Sequence, residues 1–575
     1  MTAAQSPDRI DPVDTAGQGT ASAPGSVPPP GPRPCDPRAL LARLGVSRGL
    51  GLAMAIALAV LLPFLRKAYT IDDVTFLLQA QHLLKDPGHP TAFVMIFHGQ
   101  PMRLSGALVS GPVMSMLLLP AVLAGGAEWV AHLLQIALLL LGLVGTAALG
   151  LRLGLSRGEA GLAALLVACS PAVLAMAATG MPDVPAMTFG VFALERLLAW
   201  RASGRRSDAL LAVLLLLLAI LSRPHQLLLL PVGALLLLPR AGLRAGFARS
   251  LLRLFHRGLW PLVLAAALLL LVNYATRDPS GGNHLAAATL SRMHLYRFWN
   301  NLANIPAQWA LCFPLAALWL TSRYRVAIRQ PTFWIALLAG IYLGLQQPNW
   351  ELRPAVRQVI VAIVALSSGV LGAILGDAVR RRDPVQLALW LLLVAAAPTA
   401  LYVHLPPKYL VPAAPAMAIL LVQALRGLDL RRLWLRLVPC VGIGAVLAVL
   451  IIRADAAMAE VGRAGGLQVA DAMRQGVPVW MDGAWGFQWY AMQAGARPMT
   501  TGGVLPSRGD LVVVGPQGGR IAQCPQRTLL RSQRFMSTVG WVIGHGAGFY
   551  SNVSTPLPWS WGPGELGRIE VYRID

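Results

Sequence analysis

The chain is poor in charge, in acids and in patterned cysteine. Only 13% of its 575 residues are charged, against 56% hydrophobic, with mean hydropathy +0.60. That balance excludes the soluble globular classes and makes the chain a polytopic membrane protein. Acids number 25 beside 48 Lys plus Arg, a net charge of +23. In a soluble chain this excess would point to nucleic acid. Here the arginines fall in clusters between apolar runs, so membrane topology accounts for them and no nucleic-acid partner is expected. The five cysteines (Cys35, Cys169, Cys312, Cys440 and Cys524) show neither CxxC nor Cys/His spacing, which argues against a disulfide scaffold and a structural zinc. No Walker A sequence is present, against an ATP-driven pump, and no HxxH, HxH or HExxH spacing marks a metal site. A cleavable signal is missing too. The Pro, Gly, Ala and Ser-rich start cannot bury a core, and residues 1–44 are expected to be a disordered cytoplasmic segment.

What is present is a series of apolar runs of roughly 17 to 25 residues, the length that spans a bilayer as helix. Their centres lie near Ala57, Leu140, Leu166, Phe192, Leu215, Leu230, Leu268, Pro314, Leu338, Val364, Leu393, Met417 and Val446, about thirteen in all. With the N-terminus inside, the clusters Arg201 to Arg206, Arg240 to Arg257, Arg323 to Arg329, Arg380 to Arg382 and Arg426 to Arg436 all fall on the cytoplasmic side. The expected layout is a transmembrane domain over 45–453, a first outer loop at about 68–127, and a small extracytoplasmic α/β domain over 454–575, where β-rich runs such as RGDLVVVGP alternate with Gly and Pro turns. Within the first loop, Asp72 to Lys85 reads as an amphipathic helix on the membrane surface, and Pro101 to Pro120 as a second segment along the interface.

Ionised groups in so apolar a chain mark function or a wet cavity. Asp72 and Asp73 sit where the first span should emerge into water. One could act as a base while the other binds a metal, a cation or a substrate hydroxyl; a helix cap would use the same residue. Asp183, bracketed by Pro182 and Pro185, is a second acid on the same face, in a turn that could equally be a cap. Arg103, Arg223, Arg297 and Lys408 are among the few outer cations available to a phosphate.

These motifs resemble the GT-C membrane glycosyltransferases, in the branch of the protein O-mannosyltransferases and the lipid A aminoarabinose transferase (glycosyltransferase family 39-like). The Asp72–Asp73 pair stands where that family has its acidic pair after the first helix. MPDVPAMTF (Met181 to Phe189) is similar to its Pro-Asp segment, GQPMRLSGAL (Gly99 to Leu108) stands where many members have a basic residue beside prolines, and KYLVPAAPAMAIL (Lys408 to Leu420) is similar to a pattern near the last helices. The family's Lys-Pro-Pro in the first loop is not intact here. The resemblance implies transfer of a sugar, with inversion, from a polyprenyl-phosphate donor to an outer-face acceptor hydroxyl on a lipid, glycan or protein. It implies Asp72 as base, Asp73 and Asp183 positioning acceptor or metal, and Arg103, Lys408 and Tyr409 on the donor phosphate, with Arg223 and Arg297 as further donor-site candidates. A divalent metal ion stays open as cofactor. A multi-pass protein of the plasma membrane is expected. A carrier or flippase for lipid-linked saccharides, and a ligase or polymerase using a lipid-diphosphate donor, are the alternatives.

Overall fold

In the computed structural model the described residues are 47–97, 99–104, 110–238, 258–276, 293–313, 322–347, 350–397, 400–426 and 430–575, the side chains of 430–434 apart. The expected segment 1–44, the cluster Arg240 to Arg257, the span centre Pro314 and part of the Gly99 to Leu108 motif lie outside them. Ser47 starts the first helix, α1 (Arg48–Leu61), its Oγ accepting from the Leu50 N–H at 3.2 Å. Pro63 ends it in a tight 3-10 turn. The chain then folds back as α2 (Asp73–Leu83) and a hairpin of β1 (Val94–Phe97) and β2 (Gln100–Arg103).

Helix α2 does not keep the wet face that its periodicity predicts. Thr75 and Gln79 are buried with its apolar residues. The cause is the rest of the loop, which supplies polar partners: Gln79 donates to the Pro90 carbonyl at 3.1 Å and accepts from Ser115 Oγ at 2.6 Å. Likewise the expected interfacial segment Pro101 to Pro120 begins as strand β2 and ends in the short helix Val113–Leu117, whose Val113, Met114 and Ser115 are buried.

There follow α3 (Glu128–Arg152), α4 (Arg157–Ala168), α5 (Pro171–Ala177), α6 (Asp183–Ser203), α7 (Arg206–Ser222), α8 (Leu229–Leu237), α9 (Trp260–Ala275), α10 (Phe298–Leu311), α11 (Pro331–Leu345), α12 (Pro354–Arg381), α13 (Pro384–Leu393), α14 (Ala414–Leu425) and α15 (Leu430–Met473). Every expected span centre among the described residues falls in a helix. By length and composition, four described stretches can each cross a membrane: Glu128–Arg152, Pro354–Arg381, Pro407–Leu425 and Leu435–Met473. A fifth appears if α4 and α5, bent by 67° at Ser170–Pro171, form one broken span. The other centres sit in shorter apolar helices such as Trp260–Ala275 and Pro331–Leu345, so the number of crossings read from apolar runs exceeds the number of full-length helices.

Helix α15 has 44 residues, about 66 Å at 1.5 Å per residue, roughly twice the ~30 Å hydrocarbon layer. Position 454, the expected domain boundary, lies inside it. Its far end contributes Val461, Val469 and Ala472 to a core shared with Val479, Phe487, Val513 and Ile569. That core belongs to a five-stranded sheet ordered β4-β3-β5-β9-β6, built from β3 (Val479–Asp482), β4 (Arg497–Pro498), β5 (Leu511–Val514), β6 (Arg527–Ser537) and β9 (Gly564–Ile574). β3 runs parallel to β4 and β5, and β9 antiparallel to β5 and β6. Helix α16 (Trp485–Gln493) follows β3, where the sequence predicts a helical stretch, and a two-stranded hairpin of β7 (Ile543–Gly544) and β8 (Ala547–Gly548) precedes β9.

Candidate active site

The segment between α1 and α2 is bent into an unusual shape just before the acidic pair. Ile71 has φ 41°, a left-handed conformation that a β-branched residue adopts only under constraint. The constraint is visible. Asp73, buried at the first turn of α2, accepts the Thr70 N–H on Oδ2 at 3.0 Å and the Gly180 N–H on Oδ1 at 2.9 Å, tying the loop to the turn between α5 and α6. Asp72 then points elsewhere, as consecutive helical residues must. Its Oδ2 accepts from Lys408 Nζ at 3.1 Å, across 336 residues of sequence. The Lys408 side chain is 3% accessible and that of Asp72 39%, so the carboxylate is enclosed by protein yet open to an incoming group.

Lys408 and Tyr409 lie in a 3-10 stretch, Pro407–Ala413, that runs into α14; Pro406, Pro407 and Pro412 keep its start from becoming regular helix. Proline also sets Arg223. Because Pro224 follows it, Arg223 leaves α7 in an extended conformation (φ −139°, ψ 115°) and its guanidinium turns inward. It grips Asp183 with two bonds, Nε to Oδ1 at 2.9 Å and Nη2 to Oδ2 at 2.7 Å, and reaches Ser110 Oγ at 3.3 Å. Asp183 is fully buried with both oxygens engaged. The Tyr409 ring lies between the two ion pairs, 5.2 Å from the Arg223 guanidinium and 5.9 Å from the Lys408 ammonium, and His225, His404 and Tyr402 surround it at 5.6, 6.3 and 6.4 Å.

Several participants were not singled out from sequence. Lys67, at the end of α1's exit turn, forms a buried ion pair with Asp455 of α15 at 2.8 Å. Tyr550 places its ring 5.9 Å from Lys408 Nζ, and Asn552 clamps Leu405 through both backbone groups, at 3.0 and 2.5 Å. Pro556 accepts from Gln308 of α10, and Ser554 from the Glu351 N–H. Residues 549–557 of the C-terminal region are therefore a strap laid across the loops that hold Lys408. One signal was available: the chain contains only three lysines, Lys67, Lys85 and Lys408. In a chain that otherwise uses arginine, two of the three are buried against carboxylates.

Other expected residues stand apart. Arg103 is exposed on β2, in a hairpin whose Gly99 carbonyl accepts from the Thr501 N–H of the C-terminal region at 3.1 Å. Arg297 stacks over Tyr296 at 4.9 Å, its Nε buried without a hydrogen-bond partner among the described residues. The segment that carries it is tied to residues 400–402 through His294 and Asn301, next to Tyr402. Asp72 and Asp183 each pair with a cation, Lys408 and Arg223, whereas Asp73 is held by backbone amides. Among the described residues no group of three or more His, Cys, Asp or Glu is placed to hold a metal ion.

The two neighbouring carboxyls titrate in opposite senses. Burial works against ionisation of Asp72, but Lys408, with help from Arg223 and His404, outweighs it and holds the carboxyl below its ordinary value. Burial pushes Asp73 up to about 6, against the opposing pull of Lys67 and the two backbone amides. Burial raises the Tyr550 hydroxyl well above its usual value, and Asp455, Asp73 and Asp72 push the same way.

No protein-family model and no curated protein matches the chain. Among solved structures it is similar to ArnT from Cupriavidus metallidurans, in the apo state (16% identity, 91% of this chain and 97% of that one, TM-score 0.49) and bound to undecaprenyl phosphate (16%, the same coverage, TM-score 0.47). It is also similar to the archaeal oligosaccharyltransferase AglB from Archaeoglobus fulgidus in complex with an inhibitory peptide and a dolichol-phosphate (13%, 79% of this chain and 64% of that one, TM-score 0.42).

Proposed function

We propose that the chain is a membrane glycosyltransferase that moves a sugar from a polyprenyl-phosphate donor to an acceptor hydroxyl on the outer face of the membrane, with inversion. The observation that carries this reading is the 3.1 Å pairing of Asp72, half open, with Lys408, closed, beside the aromatic ring of Tyr409 and a second cation, Arg223. A base must be ionised and reachable, and Asp72 is both. A leaving phosphate needs fixed cations in a site shielded from water.

In the proposed reaction the acceptor oxygen attacks the anomeric carbon from the face opposite the phosphate. The bond from that carbon to the phosphate oxygen breaks, its electron pair leaves with the polyprenyl phosphate, and the hydroxyl proton passes to Asp72. Lys408 has a double task. In the unliganded site it holds Asp72 ionised; a donor phosphate competes for the same ammonium, and as Lys408 turns to it Asp72 loses its counter-ion and becomes a stronger base. Asp183 keeps the Arg223 guanidinium in place, while Arg297 and Arg103 approach the donor from the edges. The apolar helices hold the prenyl chain.

The test is transfer from radiolabelled polyprenyl-phosphate sugars by protein in liposomes, with donor binding measured alongside. Loss of transfer with retained donor binding in Asp72→Asn is the expected result. Transfer at the wild-type rate by that variant would sink the proposal, and translocation of the donor without transfer by the wild type would favour a carrier.

A further inference from the structure

A second cavity, of about 330 Å³, lies where the exit of α1 meets α15 and the C-terminal sheet region. Thr70, Trp485, Gln517, Trp541, His545 and Glu565 are the lining residues that give it chemical character. Trp485 supplies a part-exposed indole, while the Trp541 indole is buried with His545 stacked on it at 3.9 Å; hydroxyl, amide, imidazole and carboxylate groups stand around them, the Glu565 carboxylate paired with Arg568 at 3.0 Å. No Lys or Arg lines it. That separates it from the Lys408 and Arg223 site and disfavours a phosphate. The volume lies at the lower end of small-molecule sites, which run from roughly 300 to 1,000 Å³, the scale of a ring and its substituents and not of an extended chain.

The backbone around this cavity is held in uncommon shapes. Of the five non-glycine residues with positive φ among the described residues, Trp485 (58°), Gln517 (65°) and His545 (47°) line it, and Ile71 (41°) follows the lining residue Thr70. The angle at His545 belongs to the two-residue turn between β7 and β8. Ile71 is held by the Asp73–Thr70 bond described above, but the bulky Trp485 has no such local reason, and strain of this kind collects where a ligand is clamped. The segments that carry these two residues touch. The first turn of α16 sits so close to the Tyr69 carbonyl that Gly486 leaves no room for a Cβ. Thr70 is also two residues from Asp72, and its N–H is held by Asp73.

We infer that this cavity binds a neutral pyranose ring of the acceptor, stacked on the Trp485 indole and hydrogen-bonded by Gln517, His545 and Glu565, so that the acceptor is a glycan whose free hydroxyl is presented to Asp72. The role as acceptor subsite rests on the glycosyltransferase reading; sugar binding does not.

The test uses the full chain in detergent or nanodiscs, with methyl hexosides of mannose, glucose and galactose as probes, read by saturation-transfer NMR and tryptophan fluorescence. Undecaprenyl phosphate binding is measured on the same samples. Trp485→Gly and Gln517→Gly remove side chains while keeping a residue that favours the left-handed backbone. Saturable binding of at least one hexoside is expected, weakened about tenfold in Trp485→Gly and less in Gln517→Gly, with undecaprenyl phosphate binding unchanged in both. Lys408→Met should do the reverse. Absence of hexoside binding to folded wild type, or binding unaltered in both glycine variants, overturns the inference, as does saturable binding of a serine-containing peptide at these residues in place of the sugars. If hexosides bind here while undecaprenyl phosphate does not bind at all, the donor reading fails and the sugar site stands. If the phosphate binds and hexosides do not, the sugar site alone falls.

Discussion

Two carboxylate sites lie one residue apart and are built in opposite ways. Around Asp72 the partner is a side chain, Lys408, and the carboxylate keeps 39% of its surface accessible. Around Asp73 the partners are backbone amides of Thr70 and Gly180, with the closed Lys67–Asp455 pair nearby. A side-chain counter-ion can move to a new ligand; a backbone amide cannot leave without unfolding the loop. The open site is therefore suited to chemistry and the closed one to holding the open one still.

The largest effect is expected from Asp72→Asn, a fall in transfer rate of roughly 10²- to 10⁴-fold with little change in melting temperature. A variant that instead unfolds would make Asp72 as structural as its neighbour and erase the contrast. Next, Lys408→Met should lower transfer by roughly 10²- to 10³-fold, and its donor affinity should fall in equilibrium binding; unchanged affinity would remove Lys408 from the phosphate site. Arg223→Met leaves the buried Asp183 carboxylate unpaired, and a loss of roughly 3 kcal/mol in stability is expected by chemical unfolding, far more than for Lys408→Met. Equal losses in the two would show that the two ion pairs are not open and closed in the sense described.

Asp73 sharpens the comparison through pH. Its folded value near 6 is above the ordinary 3.8, so the folded state holds the proton more tightly than the unfolded chain. The group therefore adds stability that is fully present below about pH 4 and is lost as pH rises through 6. In Asp73→Asn that part of the melting-temperature profile between pH 4 and 6.5 should flatten; an unaltered profile would mean that the carboxyl is not buried as described. The smallest effect is expected from Arg103→Ala, within about twofold in transfer, as for other exposed substitutions. A loss approaching that of Lys408→Met would place the β1–β2 hairpin over the donor.

Much of this was legible beforehand where the signal is local. Apolar run length found the helices, and the short motifs around Asp72 and Lys408 marked two residues that prove to be hydrogen-bonded. What could not be read depends on distant partners. Nothing in the pair Asp72–Asp73 says which carboxylate closes, because that is decided by the Gly180 amide 107 residues away. The amphipathic pattern of α2 predicted a wet face that the folded loop covers with Pro90 and Ser115. Lys67 and Asp455 carry no motif at all, and only the rarity of lysine could have pointed to one of them.

The strap at residues 549–557 has a consequence for biogenesis. Asp72 is made first, Lys408 336 residues later, and Asn552, which braces Leu405, a further 147 residues beyond that leucine. A ribosome-bound intermediate can carry the Asp72–Lys408 pair and still lack the brace of Tyr550 and Asn552. The proposed site is thus finished only once residues 549–557 have been made and laid in place.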